Sequence, residues 1–124
     1  IIVSAAGNTP YKLSDIPFLN SVHKPASYEE TIAVCGSNAH EEAWRDSSRG
    51  EEVDICAPAQ DIRRARAGWV SYNKYVNDTD RSEGTSMSTA LTASVAAMWI
   101  SYHGYENLLA RYGNVPSKIP QAFK

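Results

Sequence analysis

Gly84-Thr85-Ser86-Met87-Ser88-Thr89-Ala90-Leu91-Thr92-Ala93-Ser94-Val95-Ala96-Ala97-Met98-Trp99-Ile100-Ser101-Tyr102-His103-Gly104 is the stretch on which the reading of this chain turns. From Ser86 to His103 the apolar residues Met87, Ala90, Leu91, Ala93, Val95 to Ala97, Met98, Trp99 and Ile100 cover most of a helical circumference. A helix apolar nearly all round is expected inside a core rather than on a surface. Gly104 supplies the stop signal, and a second short helix is expected from about Glu106 to Tyr112, ended by Gly113-Asn114. At the other end a glycine-led loop delivers a serine into the first helical turn. There the orphan N–H groups and the positive end of the helix dipole favour developing negative charge. Taken alone, a serine in that place reads as a helix N-cap. The segment is Gly-x-Ser-x-Ser and does not fit the Gly-x-Ser-x-Gly nucleophile elbow.

Upstream lie three short apolar runs: Ile1 to Ala6, Thr31 to Gly36 and Glu52 to Pro58. Their near-continuous apolar character favours strands covered on both faces, as in a parallel α/β sheet. The first stops at the turn signal Gly7-Asn8. Between Thr9 and Ser27 three prolines and scattered polar residues indicate a long loop without a period. The stretch Ala67 to Glu83 reads as a hairpin or loop. The basic run Arg63, Arg64, Arg66 reads as a solvated strand end or loop. Cys35 and Cys56 each follow an apolar run and read as two buried free thiols. Spacing alone assigns no bridge between them, so a disulfide stays open as the alternative.

The motifs, in order, resemble the subtilisin family, the S8 peptidases. Gly84-Thr85-Ser86-Met87 is similar to the segment around that family's nucleophile. Ser4-Ala5-Ala6-Gly7-Asn8 is similar to its Ala-Ala-Gly-Asn turn. Pro25-Ala26-Ser27-Tyr28 leading into Ile32-Ala33-Val34 resembles its Pro-Ala…Ile-x-Val strand. Ser47-Ser48-Arg49-Gly50 and Val53-Asp54-Ile55-Cys56-Ala57-Pro58 resemble its Ser-x-x-Gly and Leu-Asp-Ile-x-Ala-Pro stretches. The resemblance implies an α/β fold, part of a doubly wound, mainly parallel sheet with a buried central helix starting at the nucleophile. It implies Ser86 as the catalytic nucleophile and Asn8 as the oxyanion donor. It further implies Ala5, Ala6, Gly7, Gly84 and Thr85 as substrate-binding residues and a polypeptide substrate; no cofactor and no metal ligand is assigned from the sequence. A weak preference for an extracytoplasmic setting comes with it.

Some family features are missing. The catalytic order is Asp, His, Ser, and only seven residues precede Asn8. Neither His23, His40 nor His103 has the family's histidine context, and all three read as structural or solvated. Asp54 matches a strand aspartate that is not the catalytic acid. The family's Thr-Pro-His after the nucleophile is replaced by Thr89-Ala90-Leu91. Residues 1–124 are therefore expected to be the carboxyl-terminal portion of a catalytic domain, with a strand already under way at Ile1-Ile2-Val3. Asn77-Asp78-Thr79-Asp80 reads as a solvated turn, since it lacks the glycine and terminal glutamate of an EF-hand. Its first three residues form a formal N-glycosylation triplet.

Composition narrows the partners. The charged fraction is 21%, the hydrophobic fraction 43%, and the net charge −2. That balance gives no electrostatic reason to expect nucleic acid or an anionic membrane. No apolar run approaches the roughly 18 residues of a membrane helix. Three function classes compete: a serine endopeptidase, an inactive peptidase-like binding or scaffold module, and a Rossmann-type binding domain. The last has no Gly-x-Gly-x-x-Gly after a strand. Retention of both Ser86 and Asn8 favours the first. The chain alone is expected to be inactive. It is also expected to be ordered only when paired, with the missing amino-terminal part or with another copy of itself.

Overall fold

A computed structural model describes residues 1–124 except 10–12, 14–15 and 17–18, with the side chains of Trp69 and Val70 also left aside. Those gaps fall within the stretch 9–27, so the reading of it as one loop lies partly outside the described residues. Three short strands form a parallel sheet: β1 (Val3–Ala5), β2 (Ile32–Ser37) and β3 (Ile55–Pro58), in the order β1-β2-β3. All three fall inside the apolar runs of the sequence. The central strand β2 is buried from Ile32 to Cys35 and on through Gly36. Ala33 and Cys35 pack with Ala6, Val22 and Ala26. Alternation sends Ile32 and Val34 to the opposite face, and α1 (Thr85–His103) crosses the sheet with contacts to all three strands.

Parallel pairing sets Cys35 opposite Cys56, with Cα atoms 4.5 Å apart. That lies at the short end of the range a disulfide spans, and the two are bonded. The expectation of two free thiols is therefore wrong. Sequence spacing carries no information about strand register, and register is what brings the sulfurs together.

A second sheet consists of the antiparallel hairpin β4 (Ile62–Ser71) and β5 (Lys74–Ser82). It starts five residues earlier than the Ala67 of the sequence reading and takes in Arg63, Arg64 and Arg66. Asn77 to Asp80 lie on β5, the first three exposed and Asp80 half-buried, so they form part of a strand and not a turn. Asp80 faces Arg64, with 3.9 Å between their charged atoms.

Two short helices follow: α2 (Tyr105–Arg111), within a residue of its expected place, and α3 (Lys118–Phe123), which the sequence reading did not include. Phe123 of α3 meets Trp99 of α1 edge-on at 5.6 Å, and Trp99 meets His103 at 5.4 Å. His103 thus belongs to an aromatic cluster at the end of α1. At the carboxyl end, Lys124 reaches Asp54 at 3.0 Å, and Asp54 also accepts the Ala33 N–H at 2.8 Å. No helix among the described residues is long and apolar enough to cross a membrane.

The central helix departs from its expected burial. Its buried residues are Thr85, Ser88, Thr92 and Ala96, one stripe of small side chains at spacings of three and four. Leu91, Val95, Met98 and Tyr102 are exposed, Met98 by 64%. Within this chain the helix is covered on one face only.

Candidate functional site

Two turns meet at the amino-terminal end of α1. The first follows β1. Ala6 is fully buried, its N–H donating to the Val34 carbonyl at 2.9 Å and its carbonyl accepting from His23 N–H at 2.8 Å. Gly7 then adopts φ 120°, where a Cβ would lie 2.6 Å from His23 Nδ1 and 2.8 Å from Ser48 Oγ. Only glycine fits that backbone in that space. The Gly7 carbonyl accepts the Ser48 N–H at 2.9 Å, and the Thr9 N–H donates to the Asp46 carbonyl at 2.8 Å. Asn8 lies between these two bonds, paired across an isolated bridge with Ser47. Its backbone is clamped while its side chain is exposed.

The second turn leads into α1. Gly84, at φ 136° and ψ 154°, caps the helix without a side-chain bond. Its N–H donates to the Ala59 carbonyl at 2.8 Å, and its carbonyl accepts the Met87 N–H at 2.9 Å. Ser86 is the second helical residue and is exposed. It is not the N-cap, so the capping role read from the sequence does not apply.

Asn8 joins the two turns. Its Oδ1 accepts from the Thr85 N–H at 2.9 Å and from Thr85 Oγ1 at 2.8 Å. A backbone N–H must face an acceptor, so the oxygen of the amide points at Thr85 and Nδ2 is turned the other way. A Cβ on Gly84 would stand 3.3 Å from that Nδ2. One side of the amide is thus saturated, leaving the N–H₂ group as donor beside the start of α1. The Ser86 N–H sits where a helix has no internal acceptor for it. The first turn of α1 itself carries no acidic residue, and the only carboxylate beside the positive dipole end among the neighbouring chain positions is the exposed Glu83 just before the cap. A hydroxyl, an amide N–H₂ and a helix start collected in this way can stabilise an oxyanion that forms next to the hydroxyl.

Of the residues singled out from sequence, the structure brings Asn8, Gly84, Thr85 and Ser86 together. Ala5, at the end of β1, pairs with Val34, and Ala6 is committed to the sheet. Among the described residues no histidine hydrogen-bonds Ser86. Sequence reasoning missed the supports. Ser88, fully buried, donates its hydroxyl to the carbonyls of Ala57 at 2.8 Å and Pro58 at 3.1 Å, tying the helix start to the end of β3. Ser47 Oγ accepts the Gly36 N–H at 2.9 Å, and Ser48 Oγ meets Thr9 Oγ1 at 3.0 Å. The available signal was the recurrence of small polar residues at Thr85, Ser88 and Thr92 inside an apolar helix.

The chain is 34% identical over 103 residues to subtilisin amylosacchariticus of Bacillus subtilis subsp. amylosacchariticus, covering 83% of this chain and 24% of that protein. It is 30% identical over 103 residues to the halolysin-like extracellular serine protease Nep of Natrialba magadii, covering 83% and 16%. It thus spans about a quarter, or less, of the length of these curated relatives. Among solved structures it superposes on the self-cleaved protease domain of PatA with a TM-score of 0.64 at 28% identity, over 94% of this chain and 38% of that one. The subtilase family model, Peptidase_S8, matches residues 1–112, and the chain belongs to the subtilase family of serine proteases.

Proposed function

We propose that the full-length protein hydrolyses peptide bonds through an acyl-enzyme on Ser86. The observation that carries this reading is the double hydrogen bond from Thr85 to Asn8 Oδ1, which aims Nδ2 at the helix start where Ser86 stands. In this scheme Ser86 Oγ attacks the scissile carbonyl carbon and gives its proton to a base. The carbonyl oxygen becomes an oxyanion held by Asn8 Nδ2 and the Ser86 N–H. The amine leaves with the proton, and water then releases the acyl group by the reverse sequence. Ala5 and Gly7, which are partly exposed, offer the edge along which the substrate backbone lies, and the buried Ala6, Gly84 and Thr85 hold that edge in place.

The base and the carboxylate that orients it come from polypeptide outside residues 1–124. Two observations support this: no described histidine bonds Ser86, and the chain matches about a quarter of its relatives' length. The 124 residues are on this reading the carboxyl-terminal portion of a catalytic domain. They are inactive alone, because a serine hydroxyl without a base is a weak nucleophile near neutral pH. The outer face of α1, with Leu91, Val95 and Met98 exposed, is covered by that same polypeptide or by a second copy of the chain. An extracytoplasmic setting is supported by the Cys35–Cys56 disulfide, since such bonds persist in oxidising compartments. The Natrialba relative, an extracellular serine protease by name, agrees with it.

A fluorophosphonate probe applied to the full-length protein tests the reading. The label should sit on Ser86, and Ser86→Ala should lower turnover by roughly 10⁶, the scale on which a subtilisin nucleophile has been measured. Labelling of another residue, or near-normal turnover by the variant, would overturn it.

A further inference from the structure

The β4–β5 hairpin leaves the site beyond Pro58 and returns to it at Gly84, and at its base lies a polar cleft of about 530 Å³. Gln60, Asp61, Arg81, Ser82 and Glu83 line it. Both walls are held in place. The Gly84 N–H is fixed on the Ala59 carbonyl at 2.8 Å, and strand pairing begins immediately above, at Ile62 opposite Ser82. Asp61 takes a left-handed backbone, φ 59°, and its carboxylate bonds the Arg81 guanidinium. That ion pair uses up the one positive charge among the described residues of the lining. Glu83 is exposed and has no ion pair among the described residues. The cleft therefore carries one uncompensated negative charge, on the residue of its lining nearest to Ser86 in the chain.

Chain geometry fixes how far that charge is from the chemistry. Glu83 and Ser86 are three positions apart in the chain, so their Cα atoms lie within about 11 Å even if fully extended. A substrate backbone in extended form advances about 3.3 Å per residue. The Glu83 carboxylate is thus in reach of a side chain within about three residues of the scissile bond. An ammonium or guanidinium entering the cleft meets Glu83, with the Gln60 amide oxygen and the Ser82 hydroxyl as further acceptors. A carboxylate entering it meets repulsion, and the nearest further cation along the hairpin, Arg63, lies outside the lining, opposite Arg81 on β4.

We propose that Glu83 is a specificity-determining residue, and that the cleft at the hairpin base receives a lysine or arginine side chain of the substrate close to the scissile bond. The inference rests on the reading of Ser86 as nucleophile. The test uses the full-length protein and fluorogenic peptides that differ only in Lys, Gln or Glu at each of the three positions on either side of the scissile bond. At one position or more the Lys-to-Glu ratio of kcat/KM should be about tenfold at low ionic strength, the size expected of weak exposed charge pairs. Glu83→Gln should bring that ratio close to one, and Glu83→Lys should invert it. Added salt near 0.5 M should erase it, because exposed charges are screened. Glu106→Gln, a control on α2, should leave the ratio as it was. Exchange of an exposed charge leaves folding nearly untouched, so a ratio that is the same in the parent and both Glu83 variants overturns the cleft's role while leaving Ser86 standing. Failure of the parent to cleave any Gln peptide, with Ser86 unlabelled by the probe, overturns the peptidase reading and this inference with it.

Discussion

The two faces of α1 follow opposite rules. Its inner face is small and largely polar: Thr85, Ser88, Thr92 and Ala96 are buried, and the first two spend their hydroxyls on Asn8 and on the end of β3. Its outer face is large and apolar, and Leu91, Val95 and Met98 stand exposed. Ordinary burial would reverse this, since large apolar side chains gain most by leaving water. The difference shows that the inner face serves position. Small side chains let the helix backbone come close to the sheet, and their hydroxyls fix the first turn against two loops distant in sequence. The outer face is where hydrophobic stabilisation is still to be gained, about 25 cal/mol for each Å² covered.

The sharpest way to break this contrast is at the inner face, through Asn8. Asn8→Ala in the full-length protein should cut turnover by about 10²–10³ with little change in apparent substrate affinity, because an oxyanion donor acts in the transition state. That magnitude was measured on a subtilisin and is borrowed here. A drop of only about twofold would leave Asn8 a turn residue, and the inner face a packing feature. The sheet beneath the helix comes next. Removing the Cys35–Cys56 bridge, which closes a loop of 21 residues, should cost about 3 kcal/mol in denaturant unfolding. An unchanged midpoint for Cys56→Ala would show that β3 is held by other means.

Ser88→Ala removes one buried hydroxyl and leaves two carbonyls without it. A loss of about 1–2 kcal/mol is expected in thermal unfolding, with turnover falling through the displaced first turn. If stability fell and the turnover of the folded enzyme did not, the tie between Ser88 and the helix start would be structural only. The smallest effect on folding belongs to the outer face. In the 124-residue chain, Met98→Ser should change intrinsic stability by no more than about 0.5 kcal/mol. Light scattering coupled to size exclusion should nevertheless show the parent chain associating, and Val95→Glu combined with Met98→Ser associating less. A parent chain that is a cooperatively melting monomer would mean the outer face needs no cover.

Much of the architecture is legible in the sequence. The three apolar runs, the Gly7-Asn8 turn and the long helix are local patterns, and each lies within a few residues of its expected place; the hairpin, open from sequence as a hairpin or a loop, begins five residues earlier than expected. α3 was not, because Pro120 sits inside it and its six residues are too few to show a period. The residues meeting at the candidate site were legible as motifs, Gly84-Thr85-Ser86 and Gly7-Asn8. Ser47 and Ser48 were legible as part of a motif but not as supports, and the tie made by Ser88 was not legible at all, since a buried serine and a solvated one look alike until their partners are known.

What the sequence determines by itself is the type and order of the elements and the family they belong to. Apolar periodicity and the glycine and proline breaks act over a few residues, and the motif order is a property of the chain. Only the tertiary structure decides how Asn8 turns its amide, because the partner that fixes it, Thr85, is 77 residues away. Only the parallel register of β2 and β3 decides that Cys35 meets Cys56. And the apolar residues of the long helix, spread round most of its circumference, do not mark which side is inward. That choice falls to the stripe of small residues, which alone lets the backbone approach the sheet while its hydroxyls find acceptors.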